Sequence, residues 1–239
     1  MEHDYEHYGH YERTIVAPRY FAIGRAVARA LGVRDRMLRF LRDARRDLPV
    51  LEIGCGRGAF LAHLLQDGFR DVAGLDPSGA YEPVVDSRLI VKAYAQDYLT
   101  QLRPASLGTV VALDVIEHIG ATDLRALLSV TKEKLVPGGL LLVRAPNLGS
   151  PLGLPNYFGD LTHVTALNEL TVRRLAVDCG FVLVGIYDEP VPFPRTLGML
   201  WGVLAWPLFR LVVRGALARF GVPIRVLSPN FVCLLRRPD

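Results

Sequence analysis

The sequence predicts an α/β protein whose core is a doubly wound, seven-stranded sheet with helices on both faces. From residue 48 onward, short β-rich apolar runs alternate with segments whose apolar residues recur at helical spacing. A helix between two strands acts as a crossover and makes those strands parallel. A glycine cluster follows the first apolar run, at the sheet edge where ligands bind in such folds.

Each element is expected at a definite place. The seven β-rich runs are LPVLEI, DVAGLD, RLIVKAYA, LGTVVALD, GLLLVRAP, FVLVGIYD and PNFVCLLRR. Helices are predicted over GAFLAHLLQD, TDLRALLSVTKEKL and LNELTVRRLAVDCG. Thr122 and Asn168 are candidate N-caps of the last two, because such side chains accept hydrogen bonds from first-turn amides. Pro137-Gly138-Gly139 is expected to stop the second helix.

The chain divides by composition into a basic N-terminal part and a main domain. Residues 1–47 are predicted to form a tail and basic helices, and residues 48–239 a single domain with a helical insertion over 190–225. Residues 47–194 carry a net charge of −6, so the basic residues concentrate at the two ends. Since nucleic-acid-binding proteins carry a basic stripe on one face, no nucleic-acid partner is expected. Basic ends favour an anionic membrane surface or an anionic substrate.

The cysteines and the N-terminus indicate a reduced, cytoplasmic protein. Cys55, Cys179 and Cys233 are widely spaced and form no C-x-x-C pair. The N-terminus, MEHDYEHYGHYER, lacks the basic start and apolar run of a signal peptide. Its histidines are interpreted as part of a solvated tail, and no metal site is predicted.

A hydrophobic segment lies between the last two predicted strands. Thirteen consecutive apolar residues, Leu197 to Phe209, precede Arg210, Arg214 and Arg219. Thirteen residues are too few for a membrane span, which needs about 20. Residues 197–219 are compatible with a helical pair over the mouth of the site, with a homodimer interface, or with an interfacial element on a membrane surface.

The glycine cluster lies in VLEIGCGRGAFL and has two interpretations. As G-x-G-x-x-A it matches a loop that holds a pyrophosphate at a helix N-terminus. As E-x-G-x-G-x-G, starting at Glu52, it suits a nucleoside ligand without phosphate. The carboxylate favours the second, because Glu52 would repel a pyrophosphate and attract cationic groups.

Acidic residues lie at the ends of four successive predicted strands, at Glu52, Asp76, Asp97 and Asp114. The carboxyl ends of parallel strands share one edge of the sheet, where ligands bind. Asp76 lies 22 residues after Gly54, the position from which an acid binds vicinal ribose hydroxyls. Asp97 could accept from an adenine amino group. Both NAD and S-adenosylmethionine carry these groups.

Five ordered blocks of residues 48–187 resemble the class I S-adenosylmethionine-dependent methyltransferases: VLEIGCGRG, VAGLDPS, AQDYL, ALDVIEHI and LVPGGLLLVRAPN. The resemblance implies a Rossmann-like sheet that ends in an antiparallel hairpin of strands six and seven. It implies S-adenosylmethionine as cofactor, with the methionine end near Glu52, Gly54 and Gly56. The ribose would lie at Asp76 and the adenine beside Asp97 and Tyr98. The same blocks add Cys55, Pro77 and Asp114 to the expected cofactor contacts.

Catalysis of methyl transfer mainly requires alignment of nucleophile, methyl and sulfur, and a hydroxyl nucleophile also benefits from a base. His163 is the first candidate base, with Asp160 as its orienting partner, because the loop after strand five often faces substrate in this family. His118, just beyond strand four, is the second candidate. Each could instead brace the backbone. His63 lies among leucines in the first helix and is interpreted as structural.

The sequence therefore predicts a methyltransferase that acts on oxygen of a glycan, lipid-linked or other small-molecule acceptor. A D-x-T-H segment followed by V-D-C-G-F resembles methyltransferases of bacterial cell-surface glycan, lipid or quinone biosynthesis. An NAD-linked oxidoreductase and a non-catalytic cofactor-binding protein of the same fold are the alternatives. Association with a membrane surface is a further expectation for the hydrophobic segment.

Overall fold

The computed structural model describes residues 36–79, 82–190, 197–221 and 224–239. The tail and basic helices predicted over residues 1–47 lie mostly outside these ranges, as do the N-terminal histidines. From residue 36, a short 3₁₀ helix spans Leu38–Leu41.

The described elements follow the predicted alternation. The strands are β1 (Val50–Ile53), β2 (Val72–Leu75), β3 (Ile90–Val91), β4 (Leu107–Leu113), β5 (Leu135–Pro146), β6 (Val182–Asp188) and β7 (Asn230–Arg236). The helices are α1 (Ala59–Gln66), α2 (Ala95–Gln101), α3 (Ala121–Lys134), α4 (Leu154–Phe158), α5 (Glu169–Asp178) and α6 (Leu197–Arg219). Two further 3₁₀ helices span Ser87–Leu89 and Ile116–His118.

The strands form one seven-stranded sheet in the order β3-β2-β1-β4-β5-β7-β6. Strands β1 to β5 pair in parallel, and β7 is antiparallel to both of its neighbours. The doubly wound sheet and its antiparallel terminal hairpin are thus confirmed. The strand order reverses between β1 and β4, which is the crevice where such sheets bind ligands.

Hydrophobic side chains cover both faces of the central strands. Leu51 and Ile53 of β1 pack on one face, in the cluster that includes buried residues of α3 and α5. Val50 packs on the other face, with α1 and the short 3₁₀ helix at Leu38–Leu41. Because successive side chains of a strand point to opposite faces, an almost unbroken apolar run is what a sheet covered on both sides requires.

Three elements differ in extent from the prediction. Strand β3 is limited to Ile90–Val91, because the Asp86 side chain caps a 3₁₀ turn before it and α2 begins soon after. Helix α3 begins after Gly120, so Thr122 lies within its first turn and is not the cap. Helix α3 ends at Lys134, before the Pro137 triplet, and β5 starts there. A residue that precedes proline disfavours the helical conformation, which explains the early stop.

The cap predicted at Asn168 is confirmed. Its side chain accepts from the amides of Leu170 and Thr171, and the Thr171 hydroxyl accepts from the Asn168 amide. This capping box fixes the start of α5.

The hydrophobic segment forms one helix, α6, which continues through Pro207 instead of breaking into a pair. None of the helices in the described ranges combines the length and apolarity that a membrane crossing requires. Arg210 of α6 pairs with Asp188 at 2.6 Å, at the carboxyl end of β6. This contact ties α6 to the same sheet edge as the glycine loop, since β6 runs parallel to β1.

Candidate active site

The glycine loop joins β1 to α1 and turns on three glycines in the left-handed region. Gly54, Gly56 and Gly58 have φ values of +68°, +51° and +79°. The amides of Gly54 and Cys55 donate to the Leu75 carbonyl at 2.8 and 3.0 Å, which ties the loop to β2. A Cβ on Gly54 would lie 2.2 Å from the Val115 side chain, whereas one on Gly56 would meet nothing within 4 Å. The loop therefore packs at Gly54 against Val115, just beyond β4, and faces open space at Gly56.

This difference predicts unequal costs for two alanine substitutions. Both Gly54→Ala and Gly56→Ala place a side chain at positive φ, which costs about 1–2 kcal/mol. Only Gly54→Ala also forces a clash, so we expect it to lose a further ~1–3 kcal/mol of unfolding free energy. Urea denaturation of both variants measures the difference, and equal losses would contradict the packing of Gly54 against Val115.

Asp76 lies at the end of β2 and is bonded to the glycine loop. Its Oδ2 accepts from the Gly56 amide at 2.9 Å, and its Oδ1 accepts from the amide and hydroxyl of Ser78 at 3.0 and 2.5 Å. A carboxylate has about four acceptor positions, so Asp76 has capacity for a further donor. Asp76 and the half-buried Pro77 thus lie beside the open space at Gly56.

The remaining candidate cofactor residues differ in exposure. Glu52 on β1 and Cys55 in the loop are buried, at 1% and 0% exposed. Tyr98 packs partly against the core, and Asp97 is exposed in the first turn of α2.

Asp114, at the end of β4, is anchored by Arg144 of β5. The Asp114 backbone has a φ of +60°, and its amide donates to the Arg144 carbonyl at 2.9 Å. The Arg144 guanidinium pairs with the Asp114 carboxylate and also donates to Glu189 Oε1, from Nε at 2.8 Å. Burial opposes the charge on Arg144, but the two carboxylates outweigh it and raise its pKa. Asn230 donates to the second oxygen of Glu189 at 2.7 Å.

Sequence reasoning did not identify Arg144 or Glu189. The signals that were present are a charged residue inside the apolar run LLLVRAP and an acid directly after β6. Together with Asp114 and Asn230 these residues form the Arg144 network, which links the ends of β4, β5 and β7 to the residue that follows β6.

His118 is oriented by a relay through Thr162 to Asp160. The Thr162 hydroxyl donates to Asp160 Oδ1 at 2.6 Å and lies 2.8 Å from His118 Nδ1. Because a hydroxyl has one proton, Thr162 accepts from His118, and Nδ1 carries the hydrogen. The lone pair of the neutral ring is then on Nε2. Burial and the neighbouring His163 lower the pKa of His118.

His163 is oriented by a backbone carbonyl. Its Nδ1 lies 2.8 Å from the Tyr157 oxygen, so Nδ1 donates and the lone pair is again on Nε2. The rings of His118 and His163 are 4.6 Å apart between centroids. Asp160 was predicted to orient His163, but its hydrogen bonds run through Thr162 to His118. Burial acts to raise the pKa of Asp160, and the Thr162 hydrogen bonds outweigh it and lower that pKa.

Glu117 completes this group and was not proposed as a site residue from the sequence. It is 1% exposed, and Oε1 lies 3.9 Å from His163 Nε2. Neither carboxylate oxygen has a hydrogen-bond partner among the described residues. Burial, and then the charge of Asp114, raise the pKa of Glu117 well above its ordinary value. We call Glu117, His118 and His163 the EHH cluster.

Known methyltransferases resemble this chain in sequence and in fold. A family model described as a methyltransferase domain matches residues 25–185. No curated protein sequence is similar enough to count as a relative. A solved S-adenosylmethionine-dependent methyltransferase from Archaeoglobus fulgidus is similar over 85% of this chain and 92% of its own, at 20% identity and a TM-score of 0.60.

Two other similar structures have more specific descriptions. A Burkholderia thailandensis 1,6-didemethyltoxoflavin-N1-methyltransferase, with S-adenosylhomocysteine bound, covers 98% of this chain and 90% of its own at 16% identity and a TM-score of 0.57. Phosphoethanolamine N-methyltransferase 2 of Haemonchus contortus, solved with S-adenosylmethionine, is 15% identical with a TM-score of 0.58 over 86% of this chain and 52% of its own. At these identities the similarity establishes the fold. The family match favours the E-x-G-x-G-x-G interpretation of the glycine loop, and the chain belongs to the class I S-adenosylmethionine-dependent methyltransferases.

Proposed function

We propose that this methyltransferase methylates a hydroxyl oxygen of a small-molecule, glycan or lipid-linked acceptor, in the cytoplasm or at a membrane surface facing it. The observation that carries the proposal is the pair of histidines in the EHH cluster, each with Nδ1 engaged and its lone pair on Nε2. A hydroxyl must lose its proton when it is methylated, and two oriented imidazoles supply a centre that promotes this loss.

The glycine loop and the strand ends support a binding site for the cofactor at this edge of the sheet. The open space at Gly56 fits a ligand that approaches the backbone closely, and Asp76 beside it has acceptor capacity for ribose hydroxyls. Glu52 and Cys55 would shape the methionine end, and Asp97 with Tyr98 would border the adenine. When bound, S-adenosylmethionine supplies a methyl group on a sulfonium, a good leaving group.

The EHH cluster starts from the carboxyl end of β4, beside the strand at which the sheet order reverses. Asp114 precedes it and is held in place by Arg144. In the proposed reaction the acceptor oxygen forms a bond to the methyl carbon while the bond from carbon to sulfur breaks. The hydroxyl proton is released to solvent at the EHH cluster, and S-adenosylhomocysteine remains.

The test compares oxygen and nitrogen acceptors. Purified protein should release S-adenosylhomocysteine with sugars, diols or catechols more readily than with the matched amines. His163→Ala should lower turnover about 100-fold or more, because a positioned acid or base contributes 10²–10⁴-fold. Calorimetry should show an affinity for S-adenosylhomocysteine that changes less than twofold.

His63→Ala is the matched control, since His63 lies on α1 outside the EHH cluster. Its turnover should equal that of the unmodified chain. Preferential methylation of the amines, or full turnover in His163→Ala, would contradict the proposal.

A lipid-linked acceptor is supported by the surface of α6. Trp201, Leu204, Leu208 and Leu211 are 71%, 61%, 65% and 70% exposed, and their spacing of three to four residues places them on one helix face. A shallow cavity of about 310 Å³ adjoins the helix, lined by Leu152, Gly202, Ala205, Trp206 and Phe209. This lining would suit an apolar acceptor chain, and the exposed face would contact the membrane surface.

Flotation on vesicles that contain anionic lipid tests the membrane contact. We expect the protein to float with such vesicles, and Leu208→Glu to reduce the floated fraction at least fivefold. Val177→Glu, at an equally exposed apolar residue on α5, should change nothing. Equal flotation of both variants would contradict the contact, and a dimer that Leu208→Glu dissociates in light scattering would assign the face to a second copy.

A further inference from the structure

We propose that the EHH cluster is a binding site for one divalent first-row transition metal ion, with His118 Nε2, His163 Nε2 and a Glu117 oxygen as ligands. One potential ligand atom from each of the three residues lies within 4.8 Å of the others. This inference rests on the proposed function and deepens it, because the two imidazoles would promote proton loss by holding an ion that binds the acceptor hydroxyl, and not by accepting the proton themselves. The observations that support the metal site do not depend on the identity of the acceptor.

The two histidines have the orientation that metal ligands require. A histidine that binds a metal through one ring nitrogen donates its other N–H to a carbonyl or carboxylate, which fixes the tautomer. His163 donates from Nδ1 to the Tyr157 carbonyl, and His118 donates through the Thr162 hydroxyl to Asp160. In both rings this leaves the lone pair on Nε2.

The Glu117 carboxylate supplies the independent observation. It is 1% exposed, and the described residues offer neither oxygen a hydrogen bond. A buried carboxylate without donors is costly unless a cation compensates it. Arg144, whose charge favours an ionised Glu117, is already engaged by Asp114 and Glu189. A metal ion among the three side chains would compensate the charge of Glu117.

The distances agree with coordination after a small adjustment. Zinc binds imidazole nitrogen and carboxylate oxygen at about 2.0–2.2 Å, so two ligands of one ion lie at most about 4.4 Å apart. The 3.9 Å between Glu117 Oε1 and His163 Nε2 falls within this limit. The ligand atoms of the group lie within 4.8 Å of one another, which exceeds this limit by at most about 0.4 Å.

The donor set indicates the class of ion and its use. Two imidazoles and one carboxylate, without sulfur, suit Zn²⁺, Co²⁺, Fe²⁺ or Mn²⁺ in preference to soft ions. Three protein ligands leave a position for an exogenous oxygen, as catalytic metal sites do. A bound ion would make a hydroxyl at that position more acidic, and would thereby promote release of its proton to solvent when the oxygen is methylated.

The experiment is a titration of chelator-treated protein with Co²⁺, followed by its visible absorption and by calorimetry. The background variant carries His3→Gln, His7→Gln and His10→Gln, so that the N-terminal histidines cannot contribute. We expect one Co²⁺ per chain, displaced by Zn²⁺. Glu117→Gln and His163→Ala should each weaken binding at least 30-fold, and His63→Ala should leave it unchanged. Circular dichroism confirms that the variants fold.

The proposal is overturned if the background protein binds no Co²⁺ or Zn²⁺, or if Glu117→Gln and His163→Ala bind as tightly as the background. Its failure is distinct from failure of oxygen methylation. If hydroxyl methylation persists at full rate in chelator, the catalytic role of the metal is rejected and the oxygen acceptor is retained. If Co²⁺ binds tightly but only amines are methylated, the oxygen acceptor is rejected and the metal site is retained.

Discussion

Arg144→Met is expected to destabilise the protein by about 3–5 kcal/mol. The Arg144 side chain is 16% exposed and lies between Asp114 and Glu189, whose side chains are 42% and 12% exposed. Methionine preserves the packing volume but leaves two carboxylates without their shared counter-charge. Removal of one partner of a buried ion pair typically costs this much, because the other charge, here that of Glu189, stays buried. Urea denaturation at 25 °C measures the loss.

The control is Arg236→Met, at an exposed position in the same terminal hairpin, which should change stability by less than about 0.5 kcal/mol. A double variant, Arg144→Met with Glu189→Gln, should recover part of the loss, because it removes the uncompensated charge. Additive losses in the double variant, or a loss below about 1 kcal/mol in Arg144→Met, would contradict the role assigned to the Arg144 network.

The alternation of strands and helices could be predicted because the sheet is covered on both faces. Such a sheet requires short continuous apolar strands, and these stand out between glycine turns and amphipathic helices. Asp76 and Asp114 were found because each directly follows an apolar strand, and Glu52 because it is an acid inside the first apolar strand. Strand β3 was overestimated, because an edge strand is limited by its flanking turns and not by its own β propensity.

The EHH cluster could not be assembled from the sequence. The histidines are 45 residues apart, and the spacing of residues gives no information about how the loop after β5 returns to β4. In the structure, the amides of Val164 and Thr165 donate to the Glu117 carbonyl at 2.9 and 3.0 Å. These backbone bonds bring His163 to His118. Residue spacing likewise does not show which distant residues contact Arg144. It was therefore interpreted only as part of an apolar strand, although its partners lie at the ends of β4 and β6.

Asp76→Ala is expected to weaken S-adenosylhomocysteine binding about 100-fold or more. The Asp76 carboxylate accepts from the Gly56 amide and is proposed to accept from ribose hydroxyls. A hydrogen bond to a charged group contributes about 1.5–3 kcal/mol, so two lost ribose bonds exceed the ~2.7 kcal/mol that corresponds to 100-fold. Calorimetry measures the affinity. Asp123→Ala, at an exposed residue of α3, should leave it unchanged.

Loss of affinity alone does not distinguish a lost ribose contact from a displaced glycine loop, because Asp76 serves both. A product analogue that lacks the ribose 2′-hydroxyl separates them. If Asp76 accepts from that hydroxyl, the analogue binds the unmodified protein more weakly than S-adenosylhomocysteine does. The analogue and S-adenosylhomocysteine then bind Asp76→Ala with equal affinity, because the bond to the 2′-hydroxyl is already absent in that variant. If Asp76 only supports the loop, the two losses add. Additive losses would therefore reject the ribose contact and leave the hydrogen bond to Gly56 as the role of Asp76.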